Sequence, residues 1–173
     1  YSDALTILQQ APQQAEILYW QAYLLNQIND ESFGNVLSQA DQMSPALVFP
    51  YRPFAAKVMD WASKNSSSWK PLYFLALIHW NAGNTDQAKK LFQQCGDPDF
   101  APFHAAKATL LNNEIEQSLN RAIRLDKNEW RYGKLLASHY MNTDNNMKAL
   151  AIVLDYHKQF PDNDVIGFLT AKL

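Results

Sequence analysis

The sequence predicts an all-α protein built from antiparallel helix pairs. Only five glycines occur in 173 residues, and the prolines stand at segment edges, where a helix begins or has just ended. Between these edges apolar residues recur at helical spacing, as in Ile17, Trp20 and Leu24. Convincing strand patterns are hard to find, so we expect helices throughout, joined by short polar turns.

Four helix pairs are predicted in chain order, at about residues 12–45, 69–98, 101–127 and 130–161 of a single domain, 1–173. Asn, Asp, Gly and Thr fill the predicted turns at 29–30, 83–86, 112–113 and 142–144, where these residues reverse the chain and cap the next helix. An extra helix is predicted at about 53–64, before a serine-rich loop.

A small residue late in each second helix marks the repeat. Ala40, Cys95 and Ala122 occupy this position, and Tyr156 is a large exception. The successive separations are 55, 27 and 34 residues. The last is one full repeat of 34 residues. The middle one predicts a trimmed third pair, and the first leaves room for the extra helix with its loop.

These residues give the chain a resemblance to the tetratricopeptide repeat family. The match is clearest at 69–97, where Ala76 stands at a first-helix position, Gly83 at the turn, and Ala88 and Phe92 at second-helix positions. The resemblance covers nearly the whole chain. It implies a right-handed superhelical solenoid of antiparallel helix pairs, here with one inserted helix.

Two phrases, at 47–53 and 126–132, look like the repeat region of some bacterial proteins that also carry a large uncharacterised domain. That domain is similar to mutarotase-like β-sandwiches, which handle carbohydrates. Because the chain opens on Tyr1, we expect it to be a piece of a longer protein.

Composition and charge exclude several classes of protein. Fifteen Lys and Arg stand against seventeen Asp and Glu, a formal charge of −2, so we expect no nucleic-acid partner. The longest apolar run, at 72–78, is far short of the roughly 20 residues of a membrane span, so no membrane partner is expected. The compartment stays open, with the cytoplasm favoured over the periplasm.

No residue pattern predicts catalysis, a cofactor or a metal site. Cys95 stands where the repeat requires a small buried side chain, so packing is favoured over a role as nucleophile. The four histidines are scattered and lack the spacing of a zinc-binding helix. Surface or groove histidines are the simpler interpretation.

Partners of tetratricopeptide proteins usually lie along the concave face made by the first helices. The resemblance therefore selects eight partner-binding residues: Lys70, Tyr73, Trp80, Asn81, His104, Lys107, Arg131 and Lys134. This set is basic and aromatic, so it predicts an acidic or carboxylate-ending protein segment with an apolar anchor. The aromatic loop at 49–54 is a second predicted binding surface.

Three functions remain open from the sequence. The first is a non-catalytic interaction or scaffolding module that binds a protein segment or its own parent domain. The second is an accessory or dimerisation region of a larger carbohydrate-acting enzyme. The third is a structural dimer, because the terminal segments 2–10 and 164–173 look like halves of further helix pairs and could cover each other in a second copy.

Overall fold

The computed structural model describes all 173 residues and contains eleven α-helices and no strand, which confirms the all-helical prediction. No helix is long and apolar enough to span a membrane. The helices in chain order are α1 (Ser2–Gln9), α2 (Ala15–Gln27), α3 (Phe33–Gln42), α4 (Ala55–Asn65), α5 (Lys70–Asn81), α6 (Thr85–Gln94), α7 (Ala101–Leu110), α8 (Ile115–Leu125), α9 (Trp130–Asn142), α10 (Asn146–Gln159) and α11 (Asp164–Lys172).

The helices form two compact units, Tyr1–Asp97 and Pro98–Leu173. In the first unit α1 packs on α2, α2 packs on α3 and α4, and α5 packs on α4 and α6. In the second unit each helix from α7 to α11 packs on the next one along the chain. Packing between helices that follow one another in the chain is therefore common to both units.

Residues in the left-handed backbone region end several of the helices. Asn29 follows α2 with a φ of 56°, Gly83 follows α5 with a φ of 80°, and Asp144 follows α9 with a φ of 56°. Glycine, asparagine and aspartate tolerate this conformation better than other residues. All three stand in turns that the sequence predicted.

Small side chains lie at the helix contacts of the core. Ala76 in α5 and Ala88 in α6 are fully buried, and so is Phe92 one turn further along α6. A methyl side chain allows two helix backbones to approach closely, and a neighbouring ring then fills the space beside the contact. Ala88 and Phe92 therefore lie on the buried face of α6.

The extra helix predicted at 53–64 is α4. It buries Ala55, Val58, Met59 and Ala62, which lie on one face because they are three or four residues apart. It packs on both α2 and α5. The segment that precedes α4 is thereby held beside α2.

The first and last helices are the least covered. Helix α1 has no buried residue, and α11 buries only Ile166. Asn163 caps α11 by accepting hydrogen bonds from the backbone N–H groups of Val165 and Ile166, each at 3.1 Å. Both terminal helices therefore leave apolar side chains in contact with water.

Candidate functional site

Lys70, predicted to bind a partner, holds the end of α3. Its side chain is buried, and its Nζ donates to the backbone carbonyl oxygens of Asp41 and Met43. Burial lowers the pKa of Lys70, and the nearby Asp41 partly offsets this effect. A cation here satisfies carbonyls at the negative end of the α3 dipole. Lys70 is therefore a structural cap in this fold.

Asp41 joins three other segments to α3. Its carboxylate accepts a 2.8 Å hydrogen bond from Tyr19 Oη in α2 and a 2.7 Å hydrogen bond from Ser66 Oγ just after α4. Its carbonyl accepts from Lys70 at the start of α5. The lysine thus belongs to a polar network inside the first unit.

Tyr73 and Trp80 surround Phe92. Tyr73 is 2% exposed and meets Phe92 edge-on at 5.7 Å between ring centroids. Trp80 is half-buried and meets the same ring edge-on at 6.4 Å. Tyr73 is therefore a core residue, whereas Trp80 keeps part of its surface in water.

Asn81 is exposed at the end of α5 and reaches the aromatic loop. Its Nδ2 donates to the backbone carbonyl of Tyr51 at 3.2 Å. This hydrogen bond ties the loop before α4 to the last turn of α5. Asn81 therefore positions the loop.

His104, in the second unit, is 2% exposed, and its Nε2 lies 2.8 Å from the carbonyl oxygen of Pro98. A carbonyl only accepts, so Nε2 carries the proton. Lys107 forms a 2.8 Å ion pair with Glu114. His104 is therefore a satisfied core residue, and the charge of Lys107 is matched by a neighbouring carboxylate.

Arg131 and Lys134 are exposed on α9. The guanidinium of Arg131 lies 2.9 Å from Oε2 of Glu129 and stacks over the ring of Trp130 at 5.0 Å. The side chain of Lys134 faces solvent. Partner binding by the eight predicted residues stays a prediction, as does the preference for an acidic segment.

The aromatic loop at 49–54 is exposed, as the sequence predicted, and so is Leu47 just before it. Leu47 is 86% exposed, Phe49 63%, Tyr51 56% and Phe54 59%. Val48 and Pro50 are buried between them and anchor the loop. Four large apolar side chains within the short segment 47–54 are unusual for a surface that meets only water.

A groove of about 540 Å³ lies beside this loop, which we call the N-terminal groove. Its floor is one face of α2, with Ile17, Trp20 and Leu24 three and four residues apart. One wall is α1, and the other is the aromatic loop. The lining residues from the walls are Ala4, Ile7, Leu8, Phe49, Pro50, Tyr51, Arg52 and Phe54.

The aromatic rings of the groove support one another. Trp20 lies 5.7 Å from Phe54 and 6.4 Å from Tyr23, measured between ring centroids. These contacts fix Trp20 on the floor, although it is only partly buried. Its place on the apolar stripe of α2 would suit a fully buried residue, but Trp20 is only partly buried because α1 and the aromatic loop leave the face of α2 between them open.

Two charged side chains lie in the N-terminal groove. Glu16 is partly buried beside the floor, and burial raises its pKa above the ordinary 4.5, against the opposing effects of Arg52 and Trp20. The Arg52 guanidinium lies over the rings of Tyr51 and Phe54, at 5.7 and 5.8 Å from their centroids. The groove therefore offers one desolvated anion and one cation.

Sequence reasoning missed the groove because it depends on α1. The spacing of Ile17, Trp20 and Leu24 indicated a buried helix face, and this pattern is the same whether a helix or a partner covers it. The signal in the sequence lay in residues 2–10, whose apolar stripe is too short to cover this face of α2. Glu16, next to Ile17, was a further signal, because a carboxylate is rarely placed in a core.

A second, smaller groove of about 240 Å³ lies within the second unit. Thr109, Asn112, Ser138, His139 and Asn142 give it a polar lining, and Leu135 is its exposed apolar residue. It lacks the run of large apolar side chains seen in the N-terminal groove. The N-terminal groove is therefore the stronger candidate site.

Cys95 is buried, and burial raises its pKa to about 12. Its Sγ donates to the Leu91 carbonyl at 3.2 Å. A thiol in this state is a poor nucleophile. No group of three or more His, Cys, Asp and Glu side chains is arranged to hold a metal ion.

No protein-family model matches this chain, and no curated protein matches it either.

Proposed function

We propose that this chain is a non-catalytic interaction module, a tetratricopeptide-like solenoid of helix pairs that holds an apolar segment of a partner in the N-terminal groove. The observation that carries the proposal is the groove itself. Its floor is apolar, and its walls expose Ile7, Phe49, Tyr51 and Phe54 to between 56% and 70%. A contiguous apolar surface of this kind is typical of interaction sites.

An amphipathic helix is the occupant that fits the floor best. Ile17, Trp20 and Leu24 form a ridge at spacings of three and four residues, and such ridges pack into the grooves of another helix. Helices α3 to α6 of this unit bury apolar side chains against neighbouring helices. The proposed partner therefore carries apolar residues at i, i+3 and i+7.

Several anchors are needed for a measurable affinity. One buried Leu or Phe side chain contributes about 1.5 to 3 kcal/mol, whereas association costs about 4 to 15 kcal/mol in lost freedom. A single anchor is therefore insufficient, and three anchors along two turns of helix would match the three ridge residues of the floor. The rigid rings of Trp20 and Phe54 keep the ordering cost on this side low.

The partner should also carry a cation. A helix over the floor would bury Glu16 further, and burying a carboxylate is costly even with the attraction of Arg52 that already acts on it. A Lys or Arg beside Glu16 removes this cost. The acidic partner predicted from the sequence was inferred from residues other than those of the N-terminal groove.

A selection from displayed helices tests this function. The library would consist of amphipathic helices of about four turns, with random residues on both faces. Sequences bound by the chain should converge on an apolar stripe with at least one basic residue. Binding should fall strongly with Ile7→Glu, which places a charge on the α1 wall.

Met147→Glu is the matched control, because Met147 is an apolar residue that is 79% exposed on α10, in the other unit. It should leave the selected helices bound. The proposal would be overturned if no selected helix bound the Met147→Glu chain better than the Ile7→Glu chain.

A further inference from the structure

Helix α11 exposes an apolar stripe that ends in a cation. Val165 is 39% exposed and Phe168 69% exposed, and Lys172 is exposed one turn further along. These residues stand at i, i+3 and i+7, so they share one face. Ile166 is fully buried on the opposite side and holds the helix on its own unit. The stripe is therefore available without unfolding α11.

This stripe has the chemistry required of an occupant of the N-terminal groove. Its spacing of three and four residues repeats that of the floor, so the two ridges can interdigitate. Lys172 in its last turn supplies the cation that Glu16 requires. The two surfaces are thus complementary in the spacing of their apolar residues and in charge.

We propose that the occupant of the N-terminal groove is helix α11 of a second copy of this chain. The inference rests on the proposed function of the groove and names its partner. Phe168 inserts against Trp20 and Phe54, and Lys172 pairs with Glu16. The formal charge of −2 per chain opposes association of two copies only weakly.

Such a contact is heterologous, because the groove of one copy meets a different surface of the next. Each copy has one groove and one α11, so an open assembly always has a free groove at one end and a free α11 at the other. Assembly therefore continues into a chain or closes into a ring, and its extent rises with protein concentration.

Sedimentation equilibrium of the full chain over a wide concentration range tests the inference. The weight-average mass should rise above the 19.8 kDa of one chain. Ile7→Glu should abolish this rise by disabling the groove, and Phe168→Glu should abolish it by disabling α11. Both sites are at least 69% exposed, so neither substitution enters the core. Met147→Glu should leave assembly unchanged.

Mixing the two disabled variants gives the decisive result. The Ile7→Glu chain keeps an intact α11 and the Phe168→Glu chain keeps an intact groove, so an equimolar mixture should form a dimer and nothing larger. Its mass should approach twice 19.8 kDa. Recovery of association in the mixture also shows that both variants are folded.

The ion pair has its own test. Lys172→Glu should weaken assembly by about tenfold or more, because Glu16, partly buried already, would then face a like charge under the helix. Combining Lys172→Glu with Glu16→Lys in one chain should restore it, because the charges then meet in reverse. Restoration is not expected if the two residues never meet.

Three outcomes would overturn the inference: a mass of 19.8 kDa at every concentration, an assembly that survives Phe168→Glu, or a mixture that stays monomeric. A monomeric chain that still selects displayed helices in its groove would leave the proposed function standing with a different partner. A chain that stays monomeric and also selects no helix would contradict both this inference and the proposed function.

Discussion

The ring of Tyr156 in α10 lies directly against the backbone of Gly133 in α9. A Cβ atom on residue 133 would lie 2.5 Å from Cζ and 2.6 Å from Cδ2 of this ring. The three preceding second helices carry Ala40, Cys95 and Ala122 at the position of Tyr156. Here the second helix carries a large side chain. The first helix leaves room for it because residue 133 is a glycine and has no side chain.

We expect Gly133→Ala to destabilise the second unit. Overpacking costs about 1 to 3 kcal/mol, which outweighs the roughly 1 kcal/mol that alanine gains over glycine inside a helix. Urea unfolding monitored by circular dichroism measures the difference. Gly34→Ala is the control, because no atom lies within 4 Å of a Cβ there, and it should be neutral or stabilising.

A double-mutant cycle then identifies the cause. Tyr156→Ala alone leaves a cavity, but it also removes the ring that the Cβ at 133 would meet. Gly133→Ala should therefore cost little in the Tyr156→Ala background. Equal costs in both backgrounds would show that the ring is not the obstacle.

Ala88→Leu should destabilise the protein by about 1 to 3 kcal/mol, because Ala88 is fully buried where α6 packs on α5. The control is Ala151→Leu, at an exposed position of α10. A melting temperature unchanged by Ala88→Leu, relative to this control, would show that α6 is free to move away from α5.

Lys70→Met should destabilise the first unit by about 1 to 3 kcal/mol, because the carbonyls of Asp41 and Met43 would lose their buried donor. Lys64→Met is the control. Lys64 is a surface lysine paired with Asp60 four residues away, and such pairs contribute about 0.3 to 0.5 kcal/mol. Equal losses in the two variants would contradict the capping role of Lys70.

Glu16 gives stability a dependence on pH. Its pKa in the folded chain is raised above 4.5, so the folded state binds more protons than the unfolded state between the two pKa values. Its contribution is therefore fully present below pH 4.5 and is lost as the pH rises through the folded pKa. Glu16→Gln should be more stable than the natural chain at pH 7 and lose this pH dependence. Urea titrations from pH 4 to 7 measure both, and identical profiles would contradict the burial of the carboxyl group.

Cys95 should react with a thiol reagent only when the protein unfolds. A pKa of about 12 leaves on the order of one thiol in ten thousand ionised at pH 8, and the thiolate is the reactive form. The labelling rate in native buffer should rise with urea in parallel with the unfolded fraction. Rapid labelling without denaturant would place Cys95 at the surface.

The helices were predictable from the sequence because their signals are local. Apolar spacing set their faces, and residues such as Asn29, Gly83 and Asp144 marked their ends. The inserted helix α4 was predicted in this way to within two residues at its start. Each of these inferences needs only neighbours within one or two turns.

The sites were less predictable, because they depend on contacts between distant residues. The acceptors of Lys70 lie 27 and 29 residues away, and nothing near residue 70 in the sequence announces them. Lysine is seldom buried, so exposure was the reasonable expectation. The fit of the Tyr156 ring against Gly133 likewise depends on side-chain volumes on two different helices. A pattern of apolar positions does not record these volumes.

The polar network around Asp41 makes local unfolding uneven along the first unit. Opening of α2, α3, α4 or α5 would break hydrogen bonds of one shared residue, so these helices should exchange their amide hydrogens as one cooperative block. Helix α1 buries nothing and shares none of these bonds, so it should exchange much faster. One wall of the N-terminal groove is thus its most labile part, and the arrival of a partner should be visible as slowed exchange in α1 before any other helix responds.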